Sequence, residues 1–445
     1  MIQNTNTINI PKFDKYQLEN GLTVFVMPIN KMPLISVKCI IKDGASKTPP
    51  GKSGLVTIMM EMLKKGAGNR NAFEFSEAID YLGAGFDTAA LQDYSFISAD
   101  LLADQLDVGL RLFSDMILTP AFPETEFINS KNRLLAAIQG IMDNPSSLNS
   151  HLFHQYFYGS DHPYGIPSSG KKQDIESITL QDVKDCYDRS FLPNNAIIIV
   201  AGDFDTNTLN GLVLKHFGDW KIGKIHPEQR NMVSSQTDNR FIIFNKPEIV
   251  QAQIRMASPG IYQSHPETYP LVLANHIFGG SFTSRLVDEV RVKRGLTYSI
   301  SSGFTLSFHQ GAFAIGTFTK TESTGEMISV ILDQLSIFKS SGITQSELSV
   351  AVNFLVGLYP LSLETCENLA GKLGAMAFYN LPSNWISEYI PTLQAVTMDD
   401  AERCIKKHFP LKGLTTVILG NAESILPQVE PFGEVEIREI SDMDL

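Results

Sequence analysis

Hydrophobic and polar positions along the chain follow two different periods. Short runs rich in β-branched and aromatic residues, bounded by glycine or proline, predict strands. These runs cover residues 22–28, 34–44, 241–244 and 251–258. Longer stretches with apolar residues three or four positions apart predict amphipathic helices. They cover residues 54–66, 73–83, 102–118, 269–280 and 328–342. Strands followed by helices in each half of the chain indicate an α+β fold class.

The end of the first half is repeated at the end of the second half. Residues 178–203 match residues 396–421 at one constant offset, so that Thr179 aligns with Thr397. Each Thr is expected to cap a helix that carries an Asp in its first turn, near the positive end of the helix dipole. In both copies an amphipathic stretch follows, and then a β-branched strand that ends at glycine. The pattern predicts a duplicated unit.

A weaker repeat upstream supports the duplication, because residues 123–138 parallel residues 344–358. We expect two homologous α/β-sandwich halves, each a mixed or antiparallel sheet with helices covering one face. The predicted domains are residues 1–224 and 241–445, and the polar stretch 225–240 is expected to link them.

Composition and charge restrict the function classes. Of 445 residues, 43% are hydrophobic and 19% are charged, as in ordinary globular proteins. The net charge of −12 argues against nucleic acid as a main partner, although a local basic patch stays open. We expect no membrane span, since no run of 18 apolar residues occurs. The sequence as given predicts a cytoplasmic protein, or a periplasmic one if a signal peptide was removed.

Cysteine and histidine positions give no metal signature. The four cysteines are far apart and lack a CxxC pair, which predicts buried free thiols: Cys39, Cys186, Cys366 and Cys404. His151 and His154 could share one helix face, but no third ligand is evident. His162 is expected to shape a turn, and Gly279 and Gly280 a tight bend.

Three segments carry a family resemblance. They are GLTVFVMP with the following residues to GKSGLVTIMMEMLKKGAG, then DNPSSLNSHLFHQYFYGSDHPYG with its continuation to AGDF, and IFGGSFTSRLVDEVRVKRGLTYSISS. In these segments the chain resembles the M16 (pitrilysin/insulinase-like, processing-peptidase-like) peptidases, from about residue 14 to about residue 422. The resemblance implies that the two halves form half of a clam-shell chamber.

Active members of that family carry His-x-x-Glu-His on the helix after Gly54 and Leu55, and a second Glu on a later helix. Paired histidines one helical turn apart hold zinc, and the first Glu activates water. The corresponding positions here are Thr57, Met60 and Glu61, with the later Glu falling at or near Ala137. None is the required residue, so we expect no intrinsic catalytic residue, metal or other cofactor in this chain.

The second half keeps the family signature in which an Arg and a Tyr reach into the chamber. By register these are Arg291 and Tyr298. A guanidinium and a phenol are both donors suited to a peptide carbonyl, and to the oxyanion that forms when water attacks it. The resemblance therefore assigns both residues to substrate binding.

The combination suggests the metal-free Arg/Tyr subunit of a bacterial heterodimeric M16 zinc peptidase. Such a chain would be inactive alone, and zinc is expected in a partner subunit that carries His-x-x-Glu-His. Peptides would be the substrates. Two alternatives stay open, a metal-free structural core subunit and a peptide-binding homodimer without proteolytic activity. Resemblance in fold does not decide among them.

Overall fold

The computed structural model describes residues 10–225 and 230–442. Helices and strands account for most of both ranges. The strands are β1 Asp14–Gln17, β2 Thr23–Pro28, β3 Leu34–Ile41, β4 Gly66–Ala67, β5 Arg70–Asn71, β6 Gly85–Ala90, β7 Ser95–Leu102, β8 Ala196–Gly202, β9 Arg240–Asn245, β10 Gln251–Pro259, β11 Ile300–Phe304, β12 Ala312–Lys320, β13 Thr415–Gly420 and β14 Glu434–Glu439. The helices are α1 Leu55–Met62, α2 Ala72–Tyr81, α3 Leu106–Leu118, α4 Glu124–Asp143, α5 Pro145–Tyr158, α6 Lys172–Ser177, α7 Leu180–Ser190, α8 Thr206–Phe217, α9 Thr268–Asn275, α10 Thr324–Ser341, α11 Gln345–Leu358, α12 Cys366–Phe378, α13 Tyr389–Ala395, α14 Met398–His408 and α15 Ala422–Val429.

Each half of the fold contains a six-stranded mixed sheet. The strand order is β1-β2-β8-β3-β7-β6 in one and β11-β12-β10-β13-β9-β14 in the other. Read in opposite directions, the two orders correspond strand by strand, with one parallel pair (β2 with β8, β9 with β13) at the same place in each. The edge pair differs, because β1 is antiparallel to β2 whereas β14 is parallel to β9. The predicted α+β fold of two homologous halves is confirmed.

The repeated helix starts also form as predicted. Thr179 accepts a hydrogen bond from the backbone N–H of Asp182, whose carboxylate accepts in return from the N–H of Thr179. Thr397 and Asp400 make the same reciprocal pair at the start of α14. Such a capping box satisfies two backbone donors that a helix start leaves free. Identical local chemistry thus begins the same helix in both halves.

The compact units are built from interleaved stretches of chain. Within the described residues, one unit comprises residues 10–138, 167–225 and 358–389, and the other comprises 139–166, 230–357 and 390–442. Helix α12 therefore belongs with the first sheet, although in sequence it lies between strands β12 and β13 of the second sheet. The predicted boundaries at 224 and 241 stay a prediction, and residues 226–229 of the predicted linker, with His226, lie outside the described residues.

Helices cover both faces of each sheet. In the first unit, α12 approaches β3 and β8 so closely that a Cβ on Gly374 would lie 2.7 Å from Cδ1 of Ile40. In the second unit, α5 places Leu152 and Phe153 in one cluster with Ile242 and Phe244 of β9. To the one-sided helical layer expected from the sequence, the structure adds one helix on the opposite face.

One described stretch has the length and composition of a membrane-crossing helix. It is Gln345–Leu363, with a mean hydropathy of 1.3, and 22% of its apolar window is buried. A single stretch of this kind is weak evidence of a span, so the absence of a membrane span stays a prediction.

Candidate functional site

In active members of the family that this chain resembles, one helix carries the His-x-x-Glu-His residues of the zinc site. The corresponding positions in this chain carry other residues. Thr57, on α1, donates its hydroxyl to the carbonyl oxygen of Ser168 at 2.7 Å. Met60, on the same helix, is only 1% exposed and packs into the core of the first unit. A hydroxyl already bound to backbone and a buried thioether offer no ligand for Zn²⁺, which takes histidine, cysteine or carboxylate.

The one carboxylate at this position is already paired. Glu61 of α1 forms an ion pair with the guanidinium of Arg133 on α4. Ala137 lies one helical turn beyond Arg133 and is exposed, so it adds no ligand. The side chain of Lys131 fixes this part of α4 by donating to the carbonyl oxygens of Glu176 and Ile178. A guanidinium therefore lies beside the carboxylate that a metal would need.

The second unit brings Arg291 and Tyr298 into one pocket. Helix α9 runs into a π-helical turn at His276–Gly280, and a second π-helical segment, Val287–Lys293, carries Arg291. Local π-helical geometry is rare and occurs frequently at functional sites. Both residues line a cavity of about 470 Å³ whose other walls are Gln251, Gly295, Leu296, Thr297, Phe318, Thr319 and Lys320. The predicted tight bend at Gly279 and Gly280 is thus the end of a π-helical turn.

The loop that carries Tyr298 is attached to the sheet. Thr319 of β12 donates its hydroxyl to the carbonyl oxygen of Leu296 at 2.8 Å, and Thr317 donates to that of Ser299 at 3.0 Å. These bonds hold the backbone on both sides of Tyr298 while its side chain is 81% exposed. The phenol is therefore presented on a fixed backbone and open to a ligand.

Arg291 is held by an aromatic ring. Its guanidinium carbon lies 4.7 Å from the ring centroid of Phe282, which is itself largely exposed. Among residues 10–225 and 230–442, neither Arg291 nor the Tyr298 hydroxyl has a hydrogen bond or an ion pair. Their donors are consequently available to a carbonyl oxygen or an anion.

An ion pair made by a residue just before the Arg291 segment was not found from the sequence. Arg285 precedes the π-helical segment and binds Glu347 of α11 through two parallel hydrogen bonds, of 2.7 and 2.8 Å. Together with hydrogen bonds from Thr344, Arg285 lowers the pKa of Glu347 to about 2. In the weak repeat of residues 123–138 and 344–358, Glu347 corresponds to Glu126, and both lie in the first turn of a helix. Nothing local to Glu347 in the sequence indicates Arg285 as its partner.

The histidines form no site of the kind considered from the sequence. The Nδ1 atom of His154 lies 2.8 Å from the carbonyl oxygen of Ser150, and burial lowers the pKa of His154. His162 accepts a hydrogen bond from the backbone N–H of Tyr164, as expected of a residue that shapes a turn. His151 and His154 belong to no group of three close ligand-type side chains within the part of the chain that is described.

One such group does occur in the second unit. Glu267, Cys404 and His408 bring their ligand atoms within 4.8 Å of one another. The carboxylate of Glu267 is already shared by Lys407 at 2.6 Å and the Nε2 atom of His408 at 2.8 Å. Although burial disfavours the charged form, these donors lower the pKa of Glu267 to about 2. We therefore interpret the group as an ion-pair cluster at the basic end of α14.

The cysteines match their prediction in part. Burial raises the pKa of the Cys186 and Cys404 thiols to about 11, and Cys39 is also buried. Cys366 is only partly buried, and all four thiols are free.

Comparisons with known proteins concern the family and the fold. Residues 26–165 match the profile of the insulinase (peptidase family M16) domain, and residues 177–355 match that of the peptidase M16 inactive domain. An uncharacterized zinc protease, YmxG, from Bacillus subtilis is 24% identical over 386 residues, which cover 86% of this chain and 93% of that protein. A non-peptidase homolog, also named YmxG, from Helicobacter pylori is 22% identical over 88% of this chain and 90% of its own length.

Solved structures of similar proteins have the same fold as this chain. A peptidase M16 inactive domain from Pseudomonas fluorescens has a TM-score of 0.85 at 26% identity, covering 92% of this chain and 98% of that chain. A protease from Helicobacter pylori reaches the same TM-score at 23% identity, covering 92% of this chain and all of its own, and so supports the fold alone.

Proposed function

Because this chain belongs to the M16 peptidase family, we propose that it is the non-catalytic, substrate-binding subunit of a heterodimeric zinc peptidase. Arg291 and Tyr298 bind the carbonyl of the scissile peptide bond, opposite a zinc ion that belongs to the partner subunit. One observation carries the proposal. The two donors share a cavity and have no hydrogen-bond or ion-pair partner among the described residues, while Glu61 is paired with Arg133 where a metal would be bound.

The proposed chemistry depends on when each donor acts. Arg291 can bind the carbonyl oxygen before and during attack by water, because a guanidinium is always charged. The hydrogen bond that the Tyr298 hydroxyl donates becomes stronger as negative charge develops on that oxygen, since hydrogen bonds to charged acceptors are stronger than those to neutral ones. The partner supplies the attacking water and its activation, and this chain positions the substrate.

An exposed apolar surface on α11 supports a partner subunit. Val350 and Phe354 lie one helical turn apart, and 59% and 53% of their surfaces are exposed. Large apolar side chains that repeat on one helix face are typical of surfaces that contact another protein. The relative called a non-peptidase homolog and the structure called an inactive domain are consistent with a chain that needs such a partner.

The test is a reconstituted pair of this chain with an M16 subunit that carries His-x-x-Glu-His. Tyr298→Phe should lower kcat by about 10²–10³, the usual cost of losing one oxyanion donor. Arg291→Ala should in addition raise KM, because the guanidinium also binds the ground state. Tyr81→Phe, which removes a hydroxyl from another highly exposed tyrosine, is the matched control.

Assembly must be measured for every variant by mass in solution. Variants of Arg291 and Tyr298 that assemble and cleave at the wild-type rate would contradict the proposal and favour a structural core subunit. A chain that binds peptides as a homodimer and never associates with the zinc-bearing subunit would favour the peptide-binding alternative.

A further inference from the structure

The pocket around Arg291 contains a second cation. Lys320 is the last residue of β12, and its register partner across the antiparallel ladder is Gln251, the first residue of β10. Side chains directly opposite one another in such a ladder project from the same face of the sheet. Both line the cavity that also contains Arg291 and Tyr298. Three side chains that can donate to an anion, and the Tyr298 hydroxyl, thus converge on one space.

These cations have no counterion in the described residues. The side chains of Lys320, Arg291 and Gln251 make no hydrogen bond or ion pair there, and no carboxylate lines the cavity. Two cations that directly precede the pocket residue Gly295 in sequence are instead paired with carboxylates. Lys293 is 2.9 Å from Asp288 and Arg294 is 2.9 Å from Glu289.

The imbalance of charge points to an anionic ligand. The chain as a whole carries a net charge of −12, so two unpaired cations in one cavity are a local exception. Like charges held together without an anion repel one another, and a bound carboxylate would relieve that repulsion. The apolar walls Leu296 and Phe318 can pack against the carbon atoms of the same ligand.

We propose that Lys320, with Gln251, makes this pocket select peptides that place a carboxylate beside the bond held by Arg291 and Tyr298. The inference rests on the proposed function and adds the substrate class. The carboxylate comes from an Asp or Glu side chain or from a free C-terminus, which present the same chemistry. Lys320 is a specificity-determining residue and takes no part in the reaction itself.

The experiment compares peptides that differ only in that charge. Fluorescence anisotropy measures their binding to the purified chain at low and high ionic strength. One series replaces Asp or Glu by Asn or Gln, and another replaces a free C-terminal acid by the amide. The acid should bind about tenfold more tightly than its neutral counterpart, and the ratio should fall as salt is added.

The variant Lys320→Gln should bring that ratio close to one. Lys412→Gln removes the same charge from an exposed position of the same unit outside the pocket and should keep the ratio. A preference found only in the side-chain series, or only in the C-terminal series, identifies the source of the carboxylate and supports the proposal. Equal binding of acid and amide by the wild-type chain, or an unchanged ratio in Lys320→Gln, would overturn it.

Failure of the two proposals can be told apart. If Tyr298→Phe slows cleavage of neutral peptides by the reconstituted pair, and acid and amide bind equally, only the substrate class is wrong. If carboxylate binding depends on Lys320 while Tyr298→Phe leaves cleavage unchanged, the carbonyl-binding role is wrong and the carboxylate site stands.

Discussion

Replacing Glu347 by Gln should destabilise the second unit by removing its ion pair with Arg285, which lies just before the Arg291 segment. The carboxylate of Glu347 accepts two hydrogen bonds from Arg285 and two from Thr344, at 2.7 to 2.9 Å. Arg285 also donates to the carbonyl oxygen of Gly342 at 2.9 Å and stacks on Phe338. A glutamine can still accept from Thr344, so the substitution isolates the charge that faces Arg285.

The magnitude follows from the pKa of Glu347. Mainly through Arg285, the fold lowers this pKa from 4.5 to about 2. At about 1.4 kcal/mol for each pKa unit, the pairing would contribute about 3 kcal/mol. The side chains of Arg285 and Glu347 are 22% and 29% exposed, so solvent screens part of this energy. We expect the free energy of unfolding to fall by about 2 kcal/mol at pH 7.

The same reasoning fixes the pH dependence. Because the folded-state pKa is lower than the unfolded one, the contribution is complete above pH 4.5 and is lost as the pH falls towards 2. The difference in stability between the wild type and Glu347→Gln should therefore shrink across that range. A difference that is constant with pH would refute the assignment to this charge.

The assay is urea denaturation followed by far-UV circular dichroism and by tryptophan fluorescence. Trp220 and Trp385 both belong to the first unit, so fluorescence reports that unit and circular dichroism reports both. Glu74→Gln is the matched control, since Glu74 completes the capping box of α2 without an ion pair. It should cost less than about 0.5 kcal/mol. Equal losses in the two variants would show that Arg285 contributes nothing.

Two further outcomes follow from buried and paired groups. Burial and the neighbouring His309 lower the pKa of His162 to about 4, so the folded state favours the neutral ring. The free energy of unfolding should therefore fall by about 2–3 kcal/mol as the pH falls from about 6.5 to 4. In His162→Phe the urea midpoint should depend less on pH across that range, and an unchanged pH dependence would contradict this. The chain should bind no stoichiometric zinc at the Glu61–Arg133 position, which elemental analysis after dialysis against zinc tests. About one zinc per chain would disprove this if it persists in Cys404→Ser, a variant that removes a ligand from the Glu267, Cys404 and His408 group.

Local signals in the sequence were sufficient for the repeated elements. The capping pairs at Thr179 and Thr397 form because their donors and acceptors are three residues apart, so no distant residue is needed. Strands β2, β3, β9 and β10 have apolar runs that identify them directly. Strands β6, β7, β11 and β12 were not predicted, because their mixed polar and small residues acquire a strand role only from their neighbours in the sheet.

Residue identity likewise determined what the first half cannot do. Thr57, Met60 and Ala137 lack zinc-binding atoms in any fold, and the sequence alone shows this. That Glu61 is paired with Arg133 required the structure, because α1 and α4 are far apart in sequence and an ion pair depends on where helices pack. The exchange of α5 and α12 between the units was equally invisible, since nothing local to a helix says which sheet it will cover.

For the pocket in the second half, the sequence identified some of the residues and the structure identified the others. A contiguous motif supplied Arg291 and Tyr298, and their residue types determined which bonds they can make. Lys320 and Gln251 joined them only through the pairing of β10 with β12, and Arg285 found Glu347 only through packing against α11. Sequence determines chemistry that is carried by residue type and by spacing within a few residues. Tertiary structure alone decides which charges remain without a partner, because pairing over long sequence separations depends on the packing of the whole unit.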